Sequence, residues 1–116
     1  MLDLAIRKAQ KLPYTRGQQR HYALVLDKKN RIVSESANSY VKTHTLSYKA
    51  SKKQGNELAC YLHAEVGALI KDRHRRGRKL VVCRVYANGQ PAPSEPCPVC
   101  KAVLADFPNI KEVIFS

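Results

Sequence analysis

The chain has 116 residues, 44% hydrophobic and 26% charged, with 21 Lys+Arg against 9 Asp+Glu for a formal net charge of +12. That length supplies one hydrophobic core and leaves no room for a second, so a single domain over residues 1–116 is expected. No apolar run approaches ~18 residues and no charged-apolar-small pattern opens the chain, so neither a membrane span nor a signal peptide is expected and a cytoplasmic location is the default.

The predicted elements alternate in kind along the chain. Residues 3–12 place Leu4, Ala5, Ala9 and Leu12 near a helical period, with Arg7, Lys8 and Lys11 on the other side, and Pro13 stops the helix. Residues 21–27 and 31–36 read as two strands of a hairpin around Lys28, Lys29 and Asn30, where Asn30 can adopt a positive φ. His21, at a strand entrance with no partner at metal spacing, reads as a surface or packed histidine. Residues 37–56 lose periodicity and carry Asn38, His44 and four lysines (Lys42, Lys49, Lys52, Lys53). A connection of that length in a small domain is either a functional wall or a surface loop.

A second helix is expected over residues 62–75, with Val66, Leu69 and Ile70 as its apolar stripe, Lys71, Arg73 and Arg75 exposed, His74 solvated and Gly77 at the C′ position. Residues 79–87 form a near-continuous apolar run, the pattern of a buried central strand, with Cys83 a small core residue within it. Residues 88–94 read as a turn-rich loop, a third helix opens at Cys97–Cys100 and runs to about Asp106, and residues 110–115 form the last strand. The order predicts an α/β fold: a three-layer α/β/α sandwich, a mixed sheet of about four strands with helices on both faces.

Two short stretches carry the chemistry, His63-Ala64-Glu65 and Pro96-Cys97-Pro98-Val99-Cys100. Four cysteines in a cytoplasmic setting (Cys60, Cys83, Cys97, Cys100) are metal ligands or buried thiols rather than disulfides. His63, Cys97 and Cys100 together offer three zinc ligands, which leaves the fourth tetrahedral position open for water, the mark of a catalytic zinc. Glu65 supplies the carboxylate that can take and pass on a proton. His63 and Glu65 lie roughly 200° apart around an ideal helix, so they converge only at a helix N-terminus, where the backbone is still turning in. Cys97 and Cys100, at i and i+3, share a helix face, and the start of a helix favours the thiolate form that zinc needs.

These motifs, their order and their placement on two consecutive helix starts resemble the cytidine deaminase-like superfamily, most closely the small stand-alone deaminases of bacteria and phages of the cytidine and deoxycytidylate type. The resemblance implies Zn2+ on His63, Cys97 and Cys100, Glu65 as the proton shuttle, Asn38 as the contact to the substrate sugar and the backbone of Ala64 at the base edge. The implied reaction is hydrolytic deamination at C4 of cytosine: Glu65 takes a proton from water, the hydroxide attacks C4, and Glu65 protonates the ring nitrogen and later, with a second proton, the leaving amine, so that ammonia departs. Histidine as first ligand resembles the deoxycytidylate, tRNA-adenosine and polynucleotide-cytosine branches more than the free-cytidine branch, where cysteine is usual. The family habit also implies a homo-oligomer.

Small size and family likeness favour a cytosine nucleoside or nucleotide as substrate. The +12 charge and the basic run at 71–79 suit the alternative, a cytosine or adenosine in single-stranded DNA or RNA. Outside enzymes, Cys60 and His63 with Cys97 and Cys100 would make a closed structural zinc module. Against that module stand Glu65, the wide separation of the two pairs and a chain able to fold on its own core.

Overall fold

The computed structural model describes residues 1–13, 20–38, 64–94 and 98–116. Its elements are α1 (Leu2–Gln10), β1 (Arg20–Leu26), β2 (Ile32–Ala37), α2 (Ala64–Lys71), β3 (Lys79–Val85), β4 (Pro91–Ala92), α3 (Pro98–Leu104) and β5 (Glu112–Phe115). Of the connection expected over 37–56, Ala37 is the last residue of β2, and residues 39–56, including His44 and the four lysines, lie outside the described set.

Period-two alternation in the two central strands makes the layers. β1 and β3 pair antiparallel from Arg20 opposite Val85 to Leu26 opposite Lys79. Ala23, Val25, Leu80 and Val82 point to one face, where they pack with Ala64, Val66, Ala68 and Leu69 of α2 and Cys100 and Val103 of α3. Leu24, Leu26, Val81, Cys83 and Val85 point to the other, against Ala5 and Ala9 of α1. All are almost fully buried. The expected three layers, with helices on both faces, are those of the structure.

The hairpin forms as its turn residues dictate. Asn30 sits at φ 61°, a conformation that asparagine tolerates. Asp27 Oδ1 accepts hydrogen bonds from the N–H of Lys29 (2.8 Å) and Arg31 (2.9 Å), closing the turn. A bulge in β2 interrupts the register between Val25 opposite Ser34 and Leu26 opposite Ile32. Both Val33 and Ser34 are thereby directed toward α2.

β3 is the hub of a five-stranded sheet in which β2, β1, β3 and β4 are successive neighbours and β5 also joins β3. β5 runs parallel to the first half of β3, Lys79 to Val82, and β4 antiparallel to its end at Arg84 and Val85. The two short strands thus share one edge. Their junction is a serine cluster: Ser94 N–H donates to Ser116 O (3.0 Å), Ser94 Oγ to Val82 O (3.1 Å) and Ser116 Oγ to Ala92 O (2.6 Å). β4 is the strand that the turn-rich reading of 88–94 did not anticipate. Its two residues, one of them proline, carry no alternation to detect.

α2 ends at Lys71, short of the expected Arg75. The Asp72 N–H turns back to Leu69 O (3.3 Å), its Oδ1 accepts from the Arg76 N–H (3.0 Å) and its Oδ2 from the Gly77 N–H (2.8 Å), while Arg75 adopts φ 50°. The carboxylate offers the backbone an alternative to further helical turns. Gly77 is therefore not a C′ residue. It is buried where an added Cβ would lie 2.2 Å from Val25 Cγ1 and 2.9 Å from Asp72 Oδ2, so only hydrogen fits there. α3 likewise ends earlier than expected, at Leu104, and is followed by a turn closed by Phe107 N–H to Leu104 O (2.9 Å).

Candidate active site

Two helix starts on one face of the sheet build the candidate site. α2 opens with Ala64 and Glu65 in its first turn, and Glu65 is a carboxylate only 5% exposed. α2 is held over β2 by Ser34 Oγ, which donates to Ala68 O (2.7 Å), and by Lys71 Nζ, which donates to Glu35 O (3.3 Å). The helix stops at Lys71, so the Ala68 carbonyl accepts the Ser34 hydroxyl in place of a further helical N–H. α3 places Cys100 in its first turn, 1% exposed and in the same core cluster as Ala64.

His63 and Cys97 each immediately precede the first residue of one of these helices and lie outside the described residues, as does Cys60. Of the site residues proposed from the sequence, Asn38, Ala64, Glu65 and Cys100 are therefore the ones whose placement is described. Among the described residues no three His, Cys, Asp or Glu side chains group as a metal site, and two of the three expected ligands are not in that set.

Asn38 follows the last residue of β2 and extends the hairpin ladder by one step. Its N–H donates to His21 O (3.3 Å), and its side-chain Oδ1 accepts from the His21 N–H (3.0 Å). This pairing fixes the asparagine at the end of the sheet where α2 begins. His21 is half-buried in β1, as its packed reading required.

The sheet separates the two described cysteines. Cys83 faces α1, and burial pushes its thiol up to about 11. A thiol held protonated makes a poor zinc ligand. Cys100, on α3, packs in the cluster with α2 on the opposite face, the side that carries Glu65. The other partly buried carboxylate of the sheet, Glu35, is committed on the α1 face. It accepts from Lys8 Nζ and from the Tyr22 hydroxyl (2.5 Å), and those bonds hold its carboxyl below the usual range. Burial and the neighbouring carboxylate push the Tyr22 phenol up to about 12. Glu35 is thus tied to the α1 face, while Glu65 is carried by α2 on the other face, next to Ala64, which shares a core cluster with Cys100.

Of the three zinc ligands proposed from the sequence, the one that is described, Cys100, suits the role as a buried sulfur at the start of α3. Glu65, proposed for proton transfer, is a buried carboxylate at the start of α2, and in sequence His63 and Cys97 stand one residue before each helix. The sequence reading missed Ser34 and Asp72, which set where α2 lies and where it stops. Asp72 carried a signal in retrospect, an aspartate opening a run that ends in glycine.

A family model described as the cytidine and deoxycytidylate deaminase zinc-binding region matches residues 1–116. Among solved structures, the cytidine deaminase of Mycobacterium tuberculosis aligns with a TM-score of 0.56 at 16% identity, covering 100% of this chain and 80% of that one. A crystal structure of a Glu-to-Gln variant of the cytidine deaminase from the same organism aligns with a TM-score of 0.57, at 16% identity and with 81% of its chain covered. At that identity the likeness speaks for the fold. No curated protein matches the sequence.

Proposed function

The chain belongs to the cytidine and deoxycytidylate deaminase zinc-binding family, and from that premise we propose that residues 1–116 act as one zinc-dependent domain catalysing hydrolytic deamination of a cytosine nucleoside or nucleotide. The observation that carries this reading is the pairing of Glu65 and Cys100, both buried, in the first turns of two helices laid on one sheet face.

His63, Cys97 and Cys100 would hold the zinc, which when bound supplies a Lewis acid that lowers the pKa of a water. Glu65 then has the proton work. Its carboxylate takes a proton from water, delivers it to the ring nitrogen as C4 is attacked, and carries a second to the leaving amine. Burial of Glu65 keeps bulk water from competing for those protons. The Ala64 backbone at the head of α2 would meet the base edge, and Asn38, at the end of β2, the sugar.

The second reading, a cytosine within a single strand, rests on the basic residues that follow α2. A panel of cytidine, deoxycytidine, their monophosphates and a cytosine-containing single strand separates the two. Ammonia release from the small substrates with a shallow salt dependence is expected. Activity confined to the strand, with a steep log-log decline in salt, would transfer the proposal to the second reading. Zinc content of Cys60→Ala tests the closed module: retention is expected, and loss of the metal would mean that Cys60 is a fourth ligand.

A further inference from the structure

The run after α2 forms a cleft that the deaminase chemistry does not use. Ile32, Val33, Lys71, Asp72, Arg73, His74 and Arg76 line a space of about 370 Å³. It lies at the far end of α2 and β2 from Glu65 and Asn38. Six residues of helix separate Glu65 from Lys71, about 9 Å of rise, and six of strand separate Ile32 from Asn38, about 20 Å. The cleft is thus a distinct surface.

Its charge is one-sided. Asp72 is the single acid among the described lining residues, and both of its carboxylate oxygens are taken by the backbone N–H groups of Arg76 and Gly77. Lys71, Arg73, His74 and Arg76 are exposed, and neither Arg73 nor Arg76 has a carboxylate partner among the described residues. The loop is also held in shape. Arg75 stacks on Phe107, with Cζ 4.4 Å from the ring centroid, and donates to Asp106 O (2.6 Å). Arg78 donates to Gly77 O (2.9 Å), and Gly77 is packed against Val25. Two arginines are thereby presented beside a half-buried aliphatic floor formed by Val33, with Ile32, which packs toward α1, at its edge.

We propose that this cleft docks the phosphate backbone of a single-stranded nucleic acid, with Arg73 and Arg76 on successive phosphates and the aliphatic floor against a sugar or base. Guanidinium groups match phosphate geometry, and the aliphatic patch adds an apolar contact that free inorganic phosphate does not use. The inference goes beyond the reading of the catalytic site, because docking at the cleft requires no chemistry at Glu65.

The test is fluorescence anisotropy of a labelled oligothymidylate of about 16 nucleotides, a length within known single-strand site sizes. Because the probe has no cytosine, turnover cannot affect the result. The zinc-loaded chain is compared with Arg73→Ala/Arg76→Ala and with Arg7→Ala/Lys11→Ala, which removes the same charge from α1 and its C-cap residue on the opposite sheet face. The cleft variant is expected to bind at least ~10-fold more weakly, with a log-log salt slope shallower by about 1.4, or about 0.7 for each lost contact. The α1 variant should stay close to the parent, and both variants should melt like it. Equal losses in the two variants would mean bulk charge and overturn the assignment. So would unchanged binding in the cleft variant, or cleft-dependent binding to phosphatidylserine vesicles without binding to the strand. If deaminase activity is absent while this pattern holds, only the catalytic reading fails.

Discussion

Burial gives the individual side chains their different roles. Glu35, Lys8 and Tyr22 form a coupled set that ties α1 to β1 and β2, with the Lys8 ammonium also over the Tyr22 ring at 5.7 Å. The carboxyl of Glu35 is held low by its hydrogen bonds from Lys8 and Tyr22, so its stabilising contribution is present above the ordinary glutamate pKa and is lost as pH falls through the depressed value. For Tyr22 the sign reverses. The phenol is raised to about 12, so the stability it contributes is complete below its ordinary value of 10.0 and is lost as pH rises toward 12. Urea melts across pH check both. Tyr22→Phe should flatten the alkaline limb of the stability profile, and the same limb in variant and parent would mean that the phenol is not coupled to folding. Cys83, pushed up to about 11 by burial, is expected to resist alkylation by iodoacetamide in the folded chain at pH 8. Rapid modification under native conditions would contradict its packing.

At the scale of elements, the end of α2 decides the position of both the candidate catalytic face and the basic cleft. Asp72 stops the helix and Gly77 lets the chain pass under Val25. Gly77→Ala places a methyl in contact with Val25 Cγ1 and Asp72 Oδ2, and overpacking of that kind costs about 1–3 kcal/mol. A shift of the urea midpoint at constant slope is the expected readout, and a variant as stable as the parent would mean that the Asp72 turn relaxes freely. This element also shows what the sequence made legible. The apolar stripe of Val66, Leu69 and Ile70 revealed a helix, because its spacing reflects the face it buries. Its C-terminus was misplaced because Arg73, Arg75 and Arg76 are all good helix formers, and a side-chain cap overrode their propensity. The two-residue β4 was invisible for a different reason: its pairing depends on the edge of β3, a contact remote in sequence.

For the molecule as a whole, the hairpin, the central strand and the layers followed from alternation and periodicity. The two motifs pointed to a zinc site through their residue types and spacing together with the resemblance to a family that carries them. Face assignment is what the structure added. The sheet puts Cys100 with Glu65 and Ala64 on one side, and Cys83 with the Glu35, Lys8 and Tyr22 set on the other. No spacing rule in the sequence distinguishes those sides, because the face of each strand is set by register with its partners. Substrate choice was the least legible property, since it depends on the charge distribution over the whole surface as well as on the motif. Among the described residues, no helix is long and apolar enough to cross a membrane.

The most direct measurement of the central claim is ammonia release from cytidine and deoxycytidylate by the zinc-loaded chain and by Glu65→Gln, with bound zinc determined in both. Turnover by the parent, a fall on the order of 10²–10⁴-fold in Glu65→Gln, and equal zinc in the two are predicted, because the amide keeps the shape of the carboxylate but cannot carry a proton. Equal rates in parent and variant, or loss of zinc with the loss of Glu65, would contradict the role of Glu65 as the proton carrier of a zinc deaminase.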